Sequence, residues 1–176
     1  MLPHTGDTLR LPSATLLFGP PGVGKTSLLT RVLREVAKRG VSCALVSAEQ
    51  AVADVRRAHG LRRGELVSVW HETDAAAILR RIEHCGAAVV GVDSLSAAEG
   101  VSSARGCPLV AGGAASCARL AGLLKELAWS LDIAVIAILH ESGHGGVPLR
   151  VRAQFERSGH TNTSSTSTTT RGAAAP

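Results

Sequence analysis

The sequence predicts an α/β fold, a mostly parallel sheet with helices on both faces. Three observations carry this. Short apolar runs of strand character alternate with amphipathic segments, so that a helix separates successive strands. A glycine-rich octapeptide, GPPGVGKT at 19–26, lies between the first run and the first helix. The chain has 176 residues, 45% of them hydrophobic, enough for one core and too few for two comfortable ones.

The elements follow in order. Residues 1–13 are a polar lead-in with two prolines, and residues 14–18 (ATLLF) form the first strand. Leu28, Leu29, Val32, Leu33 and Val36 then recur at helical spacing, with Arg31, Arg34, Glu35 and Lys38 opposite, until Gly40 ends the helix. Residues 41–47 read as a buried strand. Residues 49–59 read as a helix with Ala51, Val52 and Val55 inward and Arg56 and Arg57 outward, stopped by Gly60. Residues 66–70 are a short strand. Thr73 or Asp74 caps a helix whose Ala75, Ile78, Leu79 and Ile82 share a face. Residues 87–93 are apolar up to a final Asp93. Residues 94–113 are rich in Gly, Ser and Ala and have no period. Leu120, Leu123, Leu124, Leu127 and Leu131 mark a further helix, and residues 133–139 are the most strand-like run of all. An alternating segment at 148–155 reads as a last strand. The expected organisation is thus a lead-in at 1–13, a core at 14–157 and a disordered Ser/Thr-rich tail at 158–176.

The octapeptide fits G-x-x-x-x-G-K-[ST], the phosphate-binding loop of nucleoside triphosphatases. Gly19, Pro20, Pro21, Gly22, Val23 and Gly24 form the loop, whose glycines let backbone N–H groups turn inward around phosphate oxygens. Lys25 brings a charge to the β- and γ-phosphates, Thr26 offers a hydroxyl to Mg²⁺, and Ser27 continues the helix start. That helix aims the positive end of its dipole at the same anion. ATP with Mg²⁺ is therefore the expected ligand pair.

Ligands of parallel sheets sit at the carboxyl ends of the strands. Four polar endings should collect there: the loop, Glu49, Asp93 and His140. Asp93 is placed to share the metal with Thr26. Glu49 can orient and deprotonate a water in line with the γ-phosphate, or serve only as a glutamate at a helix N-terminus. His140 can sense the γ-phosphate, or simply bond a neighbouring carbonyl. The run HESGH at 140–144 also spells a zinc-protease signature. That signature needs helical spacing, whereas this run follows a strand and enters glycines, so a metal role for it is not expected.

Nineteen basic against fourteen acidic residues give a net charge of +5, compatible with a polyanion but too mild to establish one. Two Trp, two Phe and no Tyr leave little for base stacking, so contacts to DNA would be to its backbone. Arg56, Arg57, Arg62, Arg63, Arg80 and Arg81 can meet a polyanion, reach a neighbouring subunit's nucleotide, or be solvated helix faces. Cys43, Cys85, Cys107 and Cys117 form no C-x-x-C pair, as expected of reduced thiols in a cytoplasmic protein. No run is long enough to cross a membrane, and no export signal is read.

On these residues the chain resembles the RecA-like ATPases, and most closely the RadA/Sms branch of bacterial DNA-repair proteins. GPPGVGKTSLL at 19–29 looks like the family's Walker A segment. ALVSAEQ at 44–50 resembles its "YVSGEES", ETDAAAIL at 72–79 its "AETDLEAIL", and VVGVDS at 89–94 its "LVVIDS". Leu139-His140 stands where the family has "GH". The resemblance implies a RecA-like fold, a water-activating Glu49, a Walker B aspartate at Asp93, and ATP hydrolysis coupled to single-stranded or branched DNA. It also implies ring-shaped homo-oligomers or association with a recombinase. The family's four-cysteine zinc finger, K-N-R-F-G segment and protease-like domain have no counterpart here, so a truncated core with incomplete C-terminal strands is expected. Two other readings stay open: a regulatory or degenerate paralogue with little hydrolysis, and a small kinase, for which 94–113 offers only Arg105 as a lid arginine.

Overall fold

The computed structural model describes residues 11–98 and 114–140. Within them the order is β1 (Ser13–Gly19), α1 (Lys25–Ala37), β2 (Cys43–Ser47), α2 (Val52–His59), β3 (Val67–His71), α3 (Ala75–His84), β4 (Val89–Asp93), α4 (Ala114–Leu131) and β5 (Ala134–His140). The five strands form one sheet in the order β1-β5-β4-β2-β3, and every pairing is parallel.

The central strands are apolar because they are covered twice. β2 and β4 are buried throughout, and β5 is buried up to its last residue. Alternate residues feed two layers. On one face Leu29 and Leu33 of α1 and Val55 of α2 pack with Leu45, Val69, Ile136 and Ile138. On the other, Ile78 and Ile82 of α3 and Leu120 and Leu124 of α4 pack with Val46, Val92, Val135 and Leu139. β3, at one end of the described sheet, alternates between buried Val67 and Val69 and exposed Ser68 and His71. Of the two candidate caps for α3, Asp74 is the one used: its Oδ1 accepts from the Ala77 N–H at 2.7 Å.

Several expectations need correction. The helix expected from residue 49 begins at Val52, because the Ser47 hydroxyl captures the Gln50 N–H at 3.0 Å and turns the chain first. Ala51 is therefore an exposed, extended N-cap residue and not part of an inward face, and Glu49 lies in a loop. Leu28 is half exposed, since the buried stripe of α1 is centred on Leu29, Thr30 and Leu33. The expected strand at 41–47 is shorter, starting at Cys43, and the one at 66–70 is shifted to Val67–His71. The 148–155 segment, the tail at 158–176, Cys107, Arg105 and residues 141–144 of the HESGH run lie outside the described residues.

Gly91, a break in an otherwise β-branched strand, has a packing explanation. A Cβ there would lie 3.0 Å from both Leu29 methyl carbons, and Leu29 is fully buried. α1 is seated directly on the backbone of β4. Gly91→Val is expected to lower unfolding free energy by about 1–3 kcal/mol through overpacking, seen as a reduced urea midpoint. The double variant Gly91→Val/Leu29→Ala should lose less than the sum of its single variants, because both act on one volume.

Among the described residues no helix is long and apolar enough to cross a membrane. Cys43, Cys85 and Cys117 are free thiols. Burial pushes Cys43 up to about 11, which leaves it unreactive at neutral pH.

Candidate nucleotide-binding site

The loop leaves β1 at Gly19 and enters α1 at Lys25. Gly22 and Gly24 have φ of +80° and +88°, the left-handed region in which glycine carries little strain. A Cβ at either would meet nothing within 4 Å, so the glycines also keep an open cradle at the head of α1. Pro20, Pro21, Gly22 and Val23 form its exposed wall, and Ser27 is exposed in the first turn of the helix. Lys25 is 8% exposed and folds back over the loop, its Nζ donating to Gly19 O and Pro20 O at 2.7 Å each. A charge held this way is already desolvated and aimed at the cradle.

Parallel pairing then brings the strand ends together. The Ala48 N–H bonds Asp93 O at 2.6 Å, and the Leu95 N–H bonds Ile138 O at 2.9 Å, tying the tips of β2, β4 and β5. Asp93, 5% exposed, accepts a hydrogen bond from Thr26 Oγ1 on its Oδ2 at 2.7 Å. Its other oxygen, Oδ1, is buried with no hydrogen-bond partner. Desolvation pushes this carboxyl above the ordinary range, the Thr26 bond opposes that, and the nearby Glu49 charge adds to it.

Glu49 and His140 complete the rim. Glu49 Oε1 accepts from the Ser94 hydroxyl and lies 2.8 Å from His140 Nε2, an ion-pair distance at which the ring N–H is not aligned as a hydrogen bond. The His140 backbone N–H is held by Ser96 Oγ at 3.2 Å. His140 thus ends a strand, with its ring against a carboxylate and not against a backbone carbonyl. Ligand atoms of Glu49, Asp93 and His140 all lie within 4.8 Å of one another.

All four polar endings expected at the carboxyl edge are therefore there. Ser94 and Ser96 are what sequence reasoning missed. Their signal was faint: two serines directly after the strand-ending carboxylate, on a turn that must pass beside its neighbours. Of the arginines singled out, Arg56 bonds Arg62 O at 3.2 Å, Arg57 pairs loosely with Asp54 at 3.5 Å, and Arg81 reaches Glu72 at 3.6 Å. None of these contacts is with a rim residue.

The residues present fit a magnesium ion. A hydroxyl and a carboxylate already face each other at the mouth of the cradle, and one carboxylate oxygen is buried without a partner. A hard divalent cation takes such oxygens and usually keeps several waters.

Comparison with known proteins agrees with this geometry. Residues 15–98 match the family model described as "ATPase family associated with various cellular activities (AAA)". The chain is 32% identical over 139 residues to the DNA repair protein RadA of Mycobacterium tuberculosis, covering 77% of this chain and 28% of that protein. It is 37% identical over 86 residues to the RecA protein of Anaplasma marginale, covering 46% of this chain and 24% of that protein. The chain thus spans about a quarter of the length of these relatives. Among solved structures it is similar to the ATPase domain of a protein named G40P (TM-score 0.60, 14% identity, 83% of this chain and 66% of that one). It is also similar to a DnaB-like replicative helicase (TM-score 0.62, 15% identity, 84% of this chain and 45% of that one). At such identities the structural likeness speaks for the fold. The described chain is a P-loop ATPase domain of the AAA/RecA-like type, with distant homology to RadA and RecA.

Proposed function

We propose that this domain binds ATP with Mg²⁺ and hydrolyses it, and that turnover is coupled to single-stranded or branched DNA in repair or recombination. The observation that carries the hydrolytic reading is the convergence at one rim of the Lys25 ammonium, the Thr26–Asp93 pair and the Glu49 carboxylate. Residues Gly19 to Ser27 wrap the phosphates, and Lys25 exchanges its carbonyl partners for phosphate oxygens. Thr26 and Asp93 hold the metal, which when bound neutralises charge on the phosphates. Glu49 orients the attacking water and takes its proton, with Ser94 fixing the carboxylate. His140, between the loop-bearing strand and the Asp93 strand, reports the γ-phosphate through its contact with Glu49.

The DNA half draws support from the relatives, which are named as a DNA repair protein and as RecA. Contacts to DNA would be to its backbone, and the working form would be a homo-oligomer or an assembly with a recombinase. The test is phosphate release by the full chain with and without single-stranded DNA. DNA-stimulated release that disappears in the Lys25→Ala protein supports the whole reading. Release that DNA leaves unchanged removes the DNA half. Magnesium-dependent ATP binding without any release makes the domain a regulatory nucleotide binder.

A further inference from the structure

The rim holds two carboxylates and an imidazole, from the ends of β4 and β5 and the loop after β2, with donor atoms no more than 4.8 Å apart. Two further observations point to a ligand. Asp93, 95% buried by its 5% exposure, has an oxygen with no partner. Both ring nitrogens of His140 are buried: Nδ1 makes no hydrogen bond, and Nε2 has only its unaligned contact with Glu49 Oε1 at 2.8 Å. Leaving buried polar atoms unpaired is costly, and a coordinated cation removes that cost for an oxygen and a ring nitrogen together.

The donor set says which cation. Magnesium takes oxygens in near-octahedral geometry and has no use for an imidazole, whereas zinc accepts His nitrogen and carboxylate oxygen together. Tetrahedral zinc with bonds of about 2.1 Å sets its donors about 3.4 Å apart. Glu49 Oε1 and His140 Nε2, now 2.8 Å apart, would part by a few tenths of an ångström to admit the ion. Glu49 is the most exposed of the three, and an ion there would take its carboxylate over from the Ser94 hydroxyl. Three protein ligands with a fourth position left to water is a familiar zinc arrangement.

We propose that the nucleotide-free protein binds one zinc ion through Glu49, Asp93 and His140, and that this ion competes with magnesium and ATP. The zinc site does not use the helical logic of an H-E-x-x-H motif, because its partners for His140 come from β4 and from the loop after β2. The competition clause rests on the magnesium role proposed for Asp93. The binding clause does not, and is read without nucleotide.

The experiment uses the full chain, stripped with a chelator and then dialysed. Zinc is titrated against a chromophoric chelator, with Co²⁺ as a spectroscopic substitute. One equivalent is expected to bind with millimolar Mg²⁺ present. His140→Gln is expected to weaken it by at least the roughly 10–100-fold that loss of an outer-sphere partner already causes, and Asp93→Asn likewise. His144→Ala is expected to change nothing. Loss of the ion in His144→Ala, or equal affinity in His140→Gln and the parent, overturns the assignment. Should the variants fail to fold, pulsed EPR of the parent protein loaded with Cu²⁺, which like zinc takes imidazole, still decides. Coupling to one imidazole nitrogen supports the site, and no nitrogen coupling refutes it. Zinc binding with no effect on magnesium-dependent ATP affinity keeps the site and removes the competition.

Discussion

Glu49→Gln is expected to slow ATP hydrolysis by about 10²–10⁴-fold, the range a positioned general base contributes, with ATP affinity within a few-fold of the parent. Glutamine has nearly the same shape, and its amide oxygen can still accept the Ser94 hydroxyl bond that Glu49 accepts. What it cannot do is take a proton from water. The rim geometry therefore survives while the chemistry does not. Single-turnover phosphate release, with binding followed separately by a fluorescent ATP analogue, tells these apart. A release rate equal to that of the parent would remove Glu49 from the chemical step. A large loss of affinity would mean that the carboxylate serves mainly to organise the rim.

Lys25→Ala is expected to act on binding itself. Truncating one partner of a buried, hydrogen-bonded charge pair costs about 2–5 kcal/mol, which at tenfold per roughly 1.4 kcal/mol is about 30- to 4,000-fold in affinity. The structure adds a second consequence. Lys25 braces Gly19 O and Pro20 O at 2.7 Å, so alanine also frees the loop before any ligand arrives. Melting the variant without nucleotide isolates that share of the effect. Titration with magnesium and ATP then measures the rest, and near-parental affinity would contradict the assigned role.

Asp93 offers a contrast with the lysine. Folding raises its carboxyl above the unfolded value, chiefly by desolvation. The stabilising contribution is thus present below the unfolded pKa and is lost as pH rises through the folded one. In the metal-free protein the fold disfavours the ionised form of this buried carboxyl. Asp93→Asn is expected to raise the melting temperature of the metal-free protein at pH 7, with a smaller gain as pH falls, while abolishing magnesium-dependent ATP binding. An equal change at every pH would trace the effect to something other than ionisation.

Much of this was legible in the residues. GPPGVGKT between an apolar run and an amphipathic stripe settled the loop, and strand-final Asp93 and His140 settled two corners of the rim. Alternation of runs gave a parallel sheet. The places where reading fell short share one cause, side chains that bond backbone or each other at short range. Ser47 taking the Gln50 N–H delayed α2 by one turn, and nothing in hydrophobic periodicity records such a bond. Ser94 and Ser96 looked like filler in a polar stretch until folding laid them against Glu49 and His140. Leu28 misled for a different reason. A stripe centred on Leu29 and Leu33 admits neighbours on either flank, and only the shape of the sheet chooses between them.

The seating of α1 on β4 reaches beyond stability. Leu29 stands one helical turn past Lys25, and the glycine it rests on is two residues before Asp93. How deeply that leucine sinks therefore sets the gap between the two halves of the nucleotide grip. A bulkier residue at position 91 would push the lysine and threonine away from the aspartate without touching any of them. A change at one of the two positions alone should register as weakened ATP capture before it registers as a misfolded protein.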